Sequence, residues 1–299
     1  MIEKEKSIEY WNTVSKQWKK MVYNTDKPAL IFPSSQLRQE IVLNEIRMNV
    51  NKDAKILDIG CADGSLIIQL LKEGYNNVKG IDNSPKMIQE ACLQLKKNDF
   101  NRDDIFFVGD ADNYYTDEKF DVVIAMGLIE YVFDLDDFFG LVYNLLNKNG
   151  IAYIESKNKL FNLFSANDYT INTENKEQLI RELDEIKYLS PKKVEDVVYE
   201  TYKGIGLQLK EINEDKKEDY ERYPFNLPQY SPKELINYFK NKQLSPKKII
   251  YYHCHPFPPR YNNGCIGLFN DLSLLMQPLG YTPVGALICS AYVMVIKNE

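Results

Sequence analysis

An acidic residue and two glycines at the end of an apolar run are the part of this sequence best suited to holding a ligand. Residues 55–65 read KILDIGCADGS, in which Asp58 is followed by Gly60 and Gly64. The apolar residues around Asp58 are typical of a buried strand, and the glycines let the backbone turn tightly beside a ligand. The segment predicts a strand, a turn and a helix start, where parallel α/β sheets bind nucleotides. An ordinary strand-to-helix loop is the plainer interpretation of this segment taken alone.

Acids also follow the next two predicted strands. The second strand, 78–81, ends in Asp82, where a carboxylate can accept both hydroxyls of a ribose. The third strand, 105–108, ends in Asp110, which can take an adenine amino group. A fourth strand over 120–126 follows, so the order of segments predicts a parallel sheet with helices between its strands.

This succession resembles the class I S-adenosylmethionine-dependent methyltransferases over roughly residues 50–156. The resemblance implies S-adenosyl-L-methionine as the cofactor and a small molecule as the methyl acceptor. It also implies which positions hold the cofactor, and we add Met87 to these positions. These positions are Asp58, Gly60, Cys61, Ala62 and Gly64 in the methionine-binding loop, Asp82 and Asn83 at the ribose, Asp110 and Ala111 at the adenine, and Met126 and Gly127 beside the transferred methyl.

Two residues depart from the family's pattern. Ala62 stands where the family usually has its middle glycine, and we expect so small a residue to leave cofactor binding intact. Tyr131 replaces the histidine often found after the fourth strand, so a histidine base is missing at that position. Tyr131 is retained as a candidate catalytic residue, and Glu130 beside it is a candidate substrate-binding residue.

A dinucleotide-dependent oxidoreductase is the nearest alternative, because it also uses a glycine-rich first turn. Its glycines stand at the first, third and sixth positions of that turn, which here hold Gly60, Ala62 and Ser65. Asp58 would repel a pyrophosphate, whereas it would attract the amino group of a methionine moiety. The spacing therefore favours the methyltransferase. A non-catalytic scaffold with this fold also stays open, although the intact acids argue against loss of cofactor binding.

The composition indicates an enzyme that acts on a small molecule. The 299 residues carry a net charge of −6, which disfavours nucleic acid as the main substrate because phosphate contacts need clustered basic residues. The odd number of cysteines, five, shows no metal-type spacing and indicates reduced thiols in a cytoplasm. No signal peptide and no apolar run of about 18 residues is present, so we expect no membrane insertion. The oligomeric state is left open.

The chain divides into four predicted parts around an α/β, Rossmann-like fold. We expect a seven-stranded, mostly parallel sheet with helices on both faces. Aromatic residues of the N-terminal helices, such as Trp11 and Trp18, either close over the cofactor or pack on the sheet. A mainly helical insertion between strands five and six is interpreted as a lid over the acceptor, with a decorative insertion or a dimer arm as alternatives. The parts are N-terminal helices over 1–50, the cofactor-binding core over 51–156, the insertion over 157–230 and the rest of the sheet over 231–299.

The only two histidines, His253 and His255, lie in a predicted sixth strand over 248–255. Strand alternation puts both on one face with Tyr251. Imidazole titrates nearest neutrality, so either histidine is a candidate general base. Structural histidines are the alternative, and a metal site would need a third ligand that the spacing does not supply. The proline-rich turn that follows is expected to hold Arg260 at the strand end as a substrate-binding residue.

The expected reaction is methyl transfer to a hydroxyl. The cofactor carries an activated methyl, so the protein must hold a nucleophile about 3 Å away, exclude water and supply a base. We expect a hydroxyl of a sugar, a phosphorylated sugar or a similar polar metabolite as the acceptor. N-methylation of a small amine is the alternative.

Overall fold

A single seven-stranded sheet organises the computed structural model, which describes residues 4–22, 33–165, 176–197, 227–259 and 266–299. The strands are β1 Ile56–Ile59, β2 Val78–Asp82, β3 Phe106–Val108, β4 Phe120–Ala125, β5 Leu146–Lys157, β6 Leu244–Cys254 and β7 Cys289–Asn298. Their order is β3-β2-β1-β4-β5-β7-β6. Strands β1 to β5 pair in parallel, and β7 runs antiparallel to β5 and β6. This confirms the predicted mostly parallel, Rossmann-like sheet.

Helices cover both faces of the sheet. They are α1 Lys4–Val22, α2 Ser34–Asn49, α3 Ser65–Lys72, α4 Pro85–Lys97, α5 Leu135–Leu145, α6 Asn162–Ser165, α7 Lys176–Ile186, α8 Pro232–Phe239, α9 Ile266–Met276 and α10 Gly285–Ile288. Within the described ranges, no helix combines the length and the apolar character that crossing a bilayer requires.

Because side chains alternate along a strand, neighbouring residues of β1 place their side chains in two separate cores on opposite faces of the sheet. Ile56 packs in one cluster with α2, α3 and α4, and Leu57 packs in the other with α5 and α8. Each fully buried aliphatic side chain of this kind contributes roughly 1.5–3 kcal/mol. The two-sided burial explains why β1 reads as a continuous apolar run interrupted only by Asp58.

Local capping signals place the helix that follows the second acid. Ser84 accepts a hydrogen bond from the Met87 amide at 3.1 Å, and Pro85 occupies the first turn of α4. The predicted capping box at Ser231 and Glu234 is also present at the start of α8. These caps fix where the two helices begin, and the first of them starts α4 directly beside Asp82.

The described residues at the start of the predicted insertion pack into the core that contains α5 and α8. Leu160, Leu179, Ile186 and Leu189 are all buried in the cluster that also contains α5 and α8. A helical turn spans 194–197, and the rest of the predicted helix after Ser190 lies outside the described residues, as do 166–175. The lid role of the insertion stays a prediction.

His253 has an unusual backbone conformation near the end of β6. Its φ is left-handed at +58°, and its amide donates to Gln277 Oε1 at 3.1 Å. Tyr251 is buried in the hydrophobic cluster with α5 and α8, and its predicted shared face with the histidines stays a prediction. The two histidine rings remain neighbours, with centroids 4.6 Å apart.

Candidate active site

A cavity of about 520 Å³ opens at the carboxyl ends of β1, β2, β4 and β5, with α1 and α2 closing its sides. Most of the predicted site residues line it. They are Asp58, Gly60, Cys61, Ala62, Asp82, Asn83, Met87, Asp110, Ala111, Met126, Gly127, Glu130, Tyr131 and His253. Gly64 and His255 are not part of the lining, and Arg260 lies outside the described residues.

The loop after β1 turns through three left-handed residues. Gly60 and Gly64 have φ of +78° and +73°, and Ala62 adopts +47°. Ala62 therefore holds a conformation that glycine adopts more easily, which accounts for the family's glycine there. A Cβ on Gly64 would lie 2.4 Å from Phe106 Cζ, so Gly64 serves the packing of α3 against β3 and not the cavity lining.

Asp82 is held by two backbone amides at the end of β2. The Ala62 amide donates to Oδ2 at 3.0 Å and the Ser84 amide donates to Oδ1 at 2.9 Å. Burial raises the pKa of Asp82 to about 6, the two amides oppose that rise, and Asp110 adds to it. Each oxygen keeps a lone pair, so this carboxylate can accept two further donors such as ribose hydroxyls.

Asp58 is a buried carboxylate facing the same cavity. Its exposed fraction is 3 %, and burial raises its pKa to about 7, with the negative charge of Asp82 adding to the rise. Arg38 lowers that pKa from the other side. A carboxylate so poorly solvated binds a cation well, and an ammonium group in the cavity would favour its ionised form.

Arg38 of α2 is a cavity residue that sequence reasoning missed. Its Nη1 lies 3.3 Å from Glu155 Oε2, and a Cβ on Gly127 would lie 2.7 Å from the same nitrogen. Gly127, with φ of +66°, thus admits the guanidinium next to the end of β4. Arg38 stands in a helix before the first strand, where no motif marks it. Its guanidinium is a cation beside Asp58 in the cavity lining, and such a group suits a carboxylate.

Replacing Arg38 with methionine is expected to weaken S-adenosylmethionine binding about tenfold, because a charge-assisted hydrogen bond is worth roughly 1.5 kcal/mol or more. Isothermal titration calorimetry measures the change. Arg47→Met is the matched control, because Arg47 lies on the same helix and pairs with Glu40 and Glu73 away from the cavity. Equal affinities in the two variants would exclude Arg38 from the cofactor site.

Helix α1 covers the side of the cavity where β2 ends and α4 begins. Asn12 Oδ1 accepts a hydrogen bond from Ser84 Oγ at 2.7 Å, which docks α1 on the start of α4. Trp11 lines the cavity and packs edge-on against Tyr131, with ring centroids 5.7 Å apart. Of the two alternatives for Trp11, the structure thus places it at the cavity. The side chain of Trp18 lies outside the described residues.

Two carboxylates and a lysine gather at the other end of the cavity. Glu130 Oε1 accepts a hydrogen bond from the Lys157 amide at 2.9 Å, and Glu155 Oε1 accepts one from Tyr252 Oη at 2.7 Å. Burial raises the pKa of Glu130 to about 7, with the charge of Glu155 contributing, and burial lowers the pKa of the Lys157 ammonium. This end is suited to bind a polar group and to exchange a proton with it.

The two histidines differ in their access to the cavity. His253 lines it, whereas His255 is buried with its ring 4.5 Å from Phe161 and 5.1 Å from Phe269. Burial lowers the pKa of His255 to about 4, and burial together with His255 lowers the pKa of His253. Neither ring nitrogen of His255 has a hydrogen-bond partner in the described part of the chain. Over those same ranges, no three His, Cys, Asp or Glu side chains gather as a metal site would require.

The groups around the cavity fit S-adenosylmethionine. The buried Asp58 and the nearby Arg38 match the ammonium and carboxylate of a methionine moiety, and Asp82 offers its lone pairs to a ribose. A family model described as "Methyltransferase domain" matches residues 50–226, more than half of the chain. The chain belongs to this methyltransferase family. Its cofactor is S-adenosylmethionine.

Curated relatives of this methyltransferase include O-methyltransferases. The chain is 31 % identical over 164 residues to the ubiquinone biosynthesis O-methyltransferase of Pelagibacter ubique, a match that covers 52 % of this chain and 65 % of the relative. That share is slightly under two thirds of the relative's length. The chain is also 25 % identical over 216 residues to the enzyme of the same name from Rickettsia typhi, covering 70 % and 81 % respectively.

A solved structure confirms the fold. Magnesium protoporphyrin IX methyltransferase from Synechocystis PCC 6803, crystallised with bound SAH, superposes with a TM-score of 0.56 over 99 % of each chain. The sequence identity is 13 %, so this likeness concerns the arrangement of strands and helices.

Proposed function

We propose that this protein transfers the methyl group of S-adenosylmethionine to a phenolic hydroxyl of a small aromatic acceptor. The observation that carries the proposal is the lining of the cavity, which contains the predicted cofactor-binding acids together with Glu130 and Lys157. Tyr131, Phe161 and Tyr252 also line this cavity and offer aromatic surface to a ring. The names of the relatives support an oxygen acceptor, and ubiquinone itself contains a substituted ring.

The sugar or phosphorylated sugar expected from the sequence has no support among these relatives. At the acceptor end of the cavity, the part lined by Glu130, Glu155 and Lys157, burial lowers the pKa of the Lys157 ammonium. A desolvated ammonium of this kind is less suited to a phosphate than a cluster of exposed cations would be. The aromatic lining supports an acceptor with a ring, and the names of the relatives support an oxygen atom as the methyl acceptor.

Each group of the site has a defined task in this reaction. The cofactor supplies a methyl already activated by its sulfonium. Asp82 would hold the ribose of the cofactor, and Asp58 and Arg38 would hold its methionine group, which fixes the cofactor in the cavity. Trp11 and Tyr131 exclude water from their side of the cavity. Positioning and exclusion of water account for much of the rate that such a displacement needs.

Incubation with S-adenosylmethionine and a panel of acceptors tests the function. The panel contains an alkyl-substituted catechol, a monosaccharide, a sugar phosphate and a primary amine, and mass spectrometry detects the gain of one methyl group. We expect the catechol to be methylated at least about tenfold faster than the others, since its hydroxyl loses a proton more readily at neutral pH. Faster methylation of a sugar or of the amine would contradict the proposal. Asp121→Asn, at the opposite end of β4, controls for nonspecific effects of substitution.

A further inference from the structure

Glu130 keeps one carboxylate oxygen without a partner at the acceptor end of the cavity. It lies in the 3₁₀ turn Ile129–Tyr131 that follows β4, and its exposed fraction is only 4 %. Oε1 accepts the Lys157 amide, which fixes the orientation of the carboxylate. Oε2 is buried and has no hydrogen-bond partner among the described residues. A buried carboxylate oxygen without a donor is costly, so its persistence at a cavity points to a role with a ligand.

Glu155, the neighbouring carboxylate, is already engaged. Its Oε1 accepts the Tyr252 hydroxyl at 2.7 Å, and its Oε2 lies 3.3 Å from Arg38 Nη1. Of these two carboxylates, Glu130 is therefore the one with an oxygen that accepts no hydrogen bond from the described residues. The negative charge of Glu155 also favours a proton on Glu130, because two carboxylates this close do not ionise independently.

We propose that Glu130 is the catalytic base of the methyl transfer, and that Glu155 is a positioning residue that tunes it. The inference rests on the proposed function and deepens it. The acceptor O–H bond breaks and its proton goes to Glu130 Oε2. The acceptor oxygen forms a bond to the methyl carbon as the sulfur–carbon bond breaks, and the electron pair of that bond stays on sulfur as a thioether.

The surroundings of Glu130 give it a proton affinity suited to this task. Glu155 and Lys157 face it from β5, Tyr252 from β6, and Tyr292 from β7, and Tyr230 lies close enough for its own pKa to be raised by Glu130. A base is most effective when its pKa lies near the working pH. The pKa of Glu130, about 7, meets that condition, whereas that of His255 is about 4. His255 also lies outside the cavity lining.

Glu130→Gln is the direct test, because glutamine keeps the size of the side chain and an oxygen for the Lys157 amide. On the acceptor identified by the panel, kcat is expected to fall about 100-fold or more, with KM and cofactor affinity within about threefold. The kcat of the wild type should fall about tenfold per pH unit below about pH 7, and this dependence should vanish in Glu130→Gln.

Two comparison variants separate Glu130 from its neighbours. In Glu155→Gln, kcat should still decrease as the pH falls, but the decrease should begin at a lower pH. Removal of the neighbouring charge lowers the pKa of Glu130. His253→Asn should leave the pH dependence in place. If His253→Asn abolishes that dependence while Glu130→Gln retains it, the histidine is the base and the proposal is wrong.

Infrared titration of Glu130 needs no acceptor, so it tests the proposed base independently of the identity of the acceptor. The difference between wild type and Glu130→Gln should contain a protonated carboxyl band that disappears with a midpoint near pH 7. A midpoint near 4.5 would overturn the role of Glu130 whatever acceptor is used. A midpoint near 7 without methylation of any panel member would instead contradict the proposed acceptor class and leave the buried base established.

Discussion

Replacement of Asp82 by alanine is expected to weaken S-adenosylmethionine binding by roughly 2–4 kcal/mol, a loss of about 30-fold to 1,000-fold in affinity. Both of its oxygens already accept a backbone amide, from Ala62 and from Ser84, and these bonds aim the remaining lone pairs into the cavity. The variant loses two charge-assisted bonds to ribose hydroxyls at once. Calorimetric titration with the cofactor measures the loss.

Asp121→Ala is a matched control for Asp82→Ala. Asp121 also accepts a backbone amide, that of Lys55 at 2.9 Å, but it stands at the start of β4, away from the cavity. We expect its loss to leave cofactor affinity unchanged. Asp82→Asn keeps one carbonyl oxygen and should fall between the wild type and Asp82→Ala. Unchanged affinity in a folded Asp82→Ala protein would remove Asp82 from the cofactor site.

Asp58→Asn is expected to stabilise the protein without cofactor while reducing its affinity for cofactor at least about tenfold. The pKa of Asp58 is raised from 3.8 to about 7 in the folded chain. The stability linked to this group is therefore fully present below about pH 3.8 and is lost as the pH rises through 7. About three pKa units correspond to at most about 4 kcal/mol, so we expect a gain of roughly 2–4 kcal/mol at pH 8.

Urea unfolding at two pH values checks this expectation. The gain from Asp58→Asn should be present at pH 8 and should shrink at pH 5, where the wild-type carboxyl is already protonated. Asp121→Asn should lower the free energy of unfolding at both pH values, because Asp121 accepts hydrogen bonds from Lys55 and Asn147. A loss of stability in Asp58→Asn at pH 8 would show that burial is not what raises the pKa of Asp58.

The parts of the site that could be predicted from sequence are those where a strand and its ligand-facing residue are adjacent in the chain. Asp58 is the residue before the last in β1, Asp82 ends β2 and Asp110 follows β3, and parallel pairing brings those strand ends together at one edge of the sheet. Local rules of burial and turn formation are sufficient there. The structure accordingly places all three acids on one cavity, while their roles toward the cofactor stay predictions.

The parts that could not be predicted depend on contacts between distant residues. Arg38 reaches the site only because α2 packs beside Gly127, which lies 89 positions later in the chain. The left-handed conformation of His253 accompanies a hydrogen bond to Gln277 of the 3₁₀ turn Gln277–Tyr281, and no residue type within β6 signals it. Glu130 was identified as a substrate-binding candidate, but its unpartnered oxygen emerges only when Lys157 and Glu155 are placed around it.

The antiparallel pairing of β7 between β5 and β6 has a consequence for the folding of the chain during translation. Ala152, Tyr153 and Ile154 of β5 are fully buried in the finished sheet, and their second edge is closed by β7, which is synthesised after β6. Because translation proceeds at about 5–20 residues per second, that edge stays open for on the order of ten seconds after β5 has been made. An unpaired apolar edge is a template for pairing with other chains. A nascent chain of this protein therefore exposes this unpaired edge until Cys289–Asn298 of β7 complete the sheet.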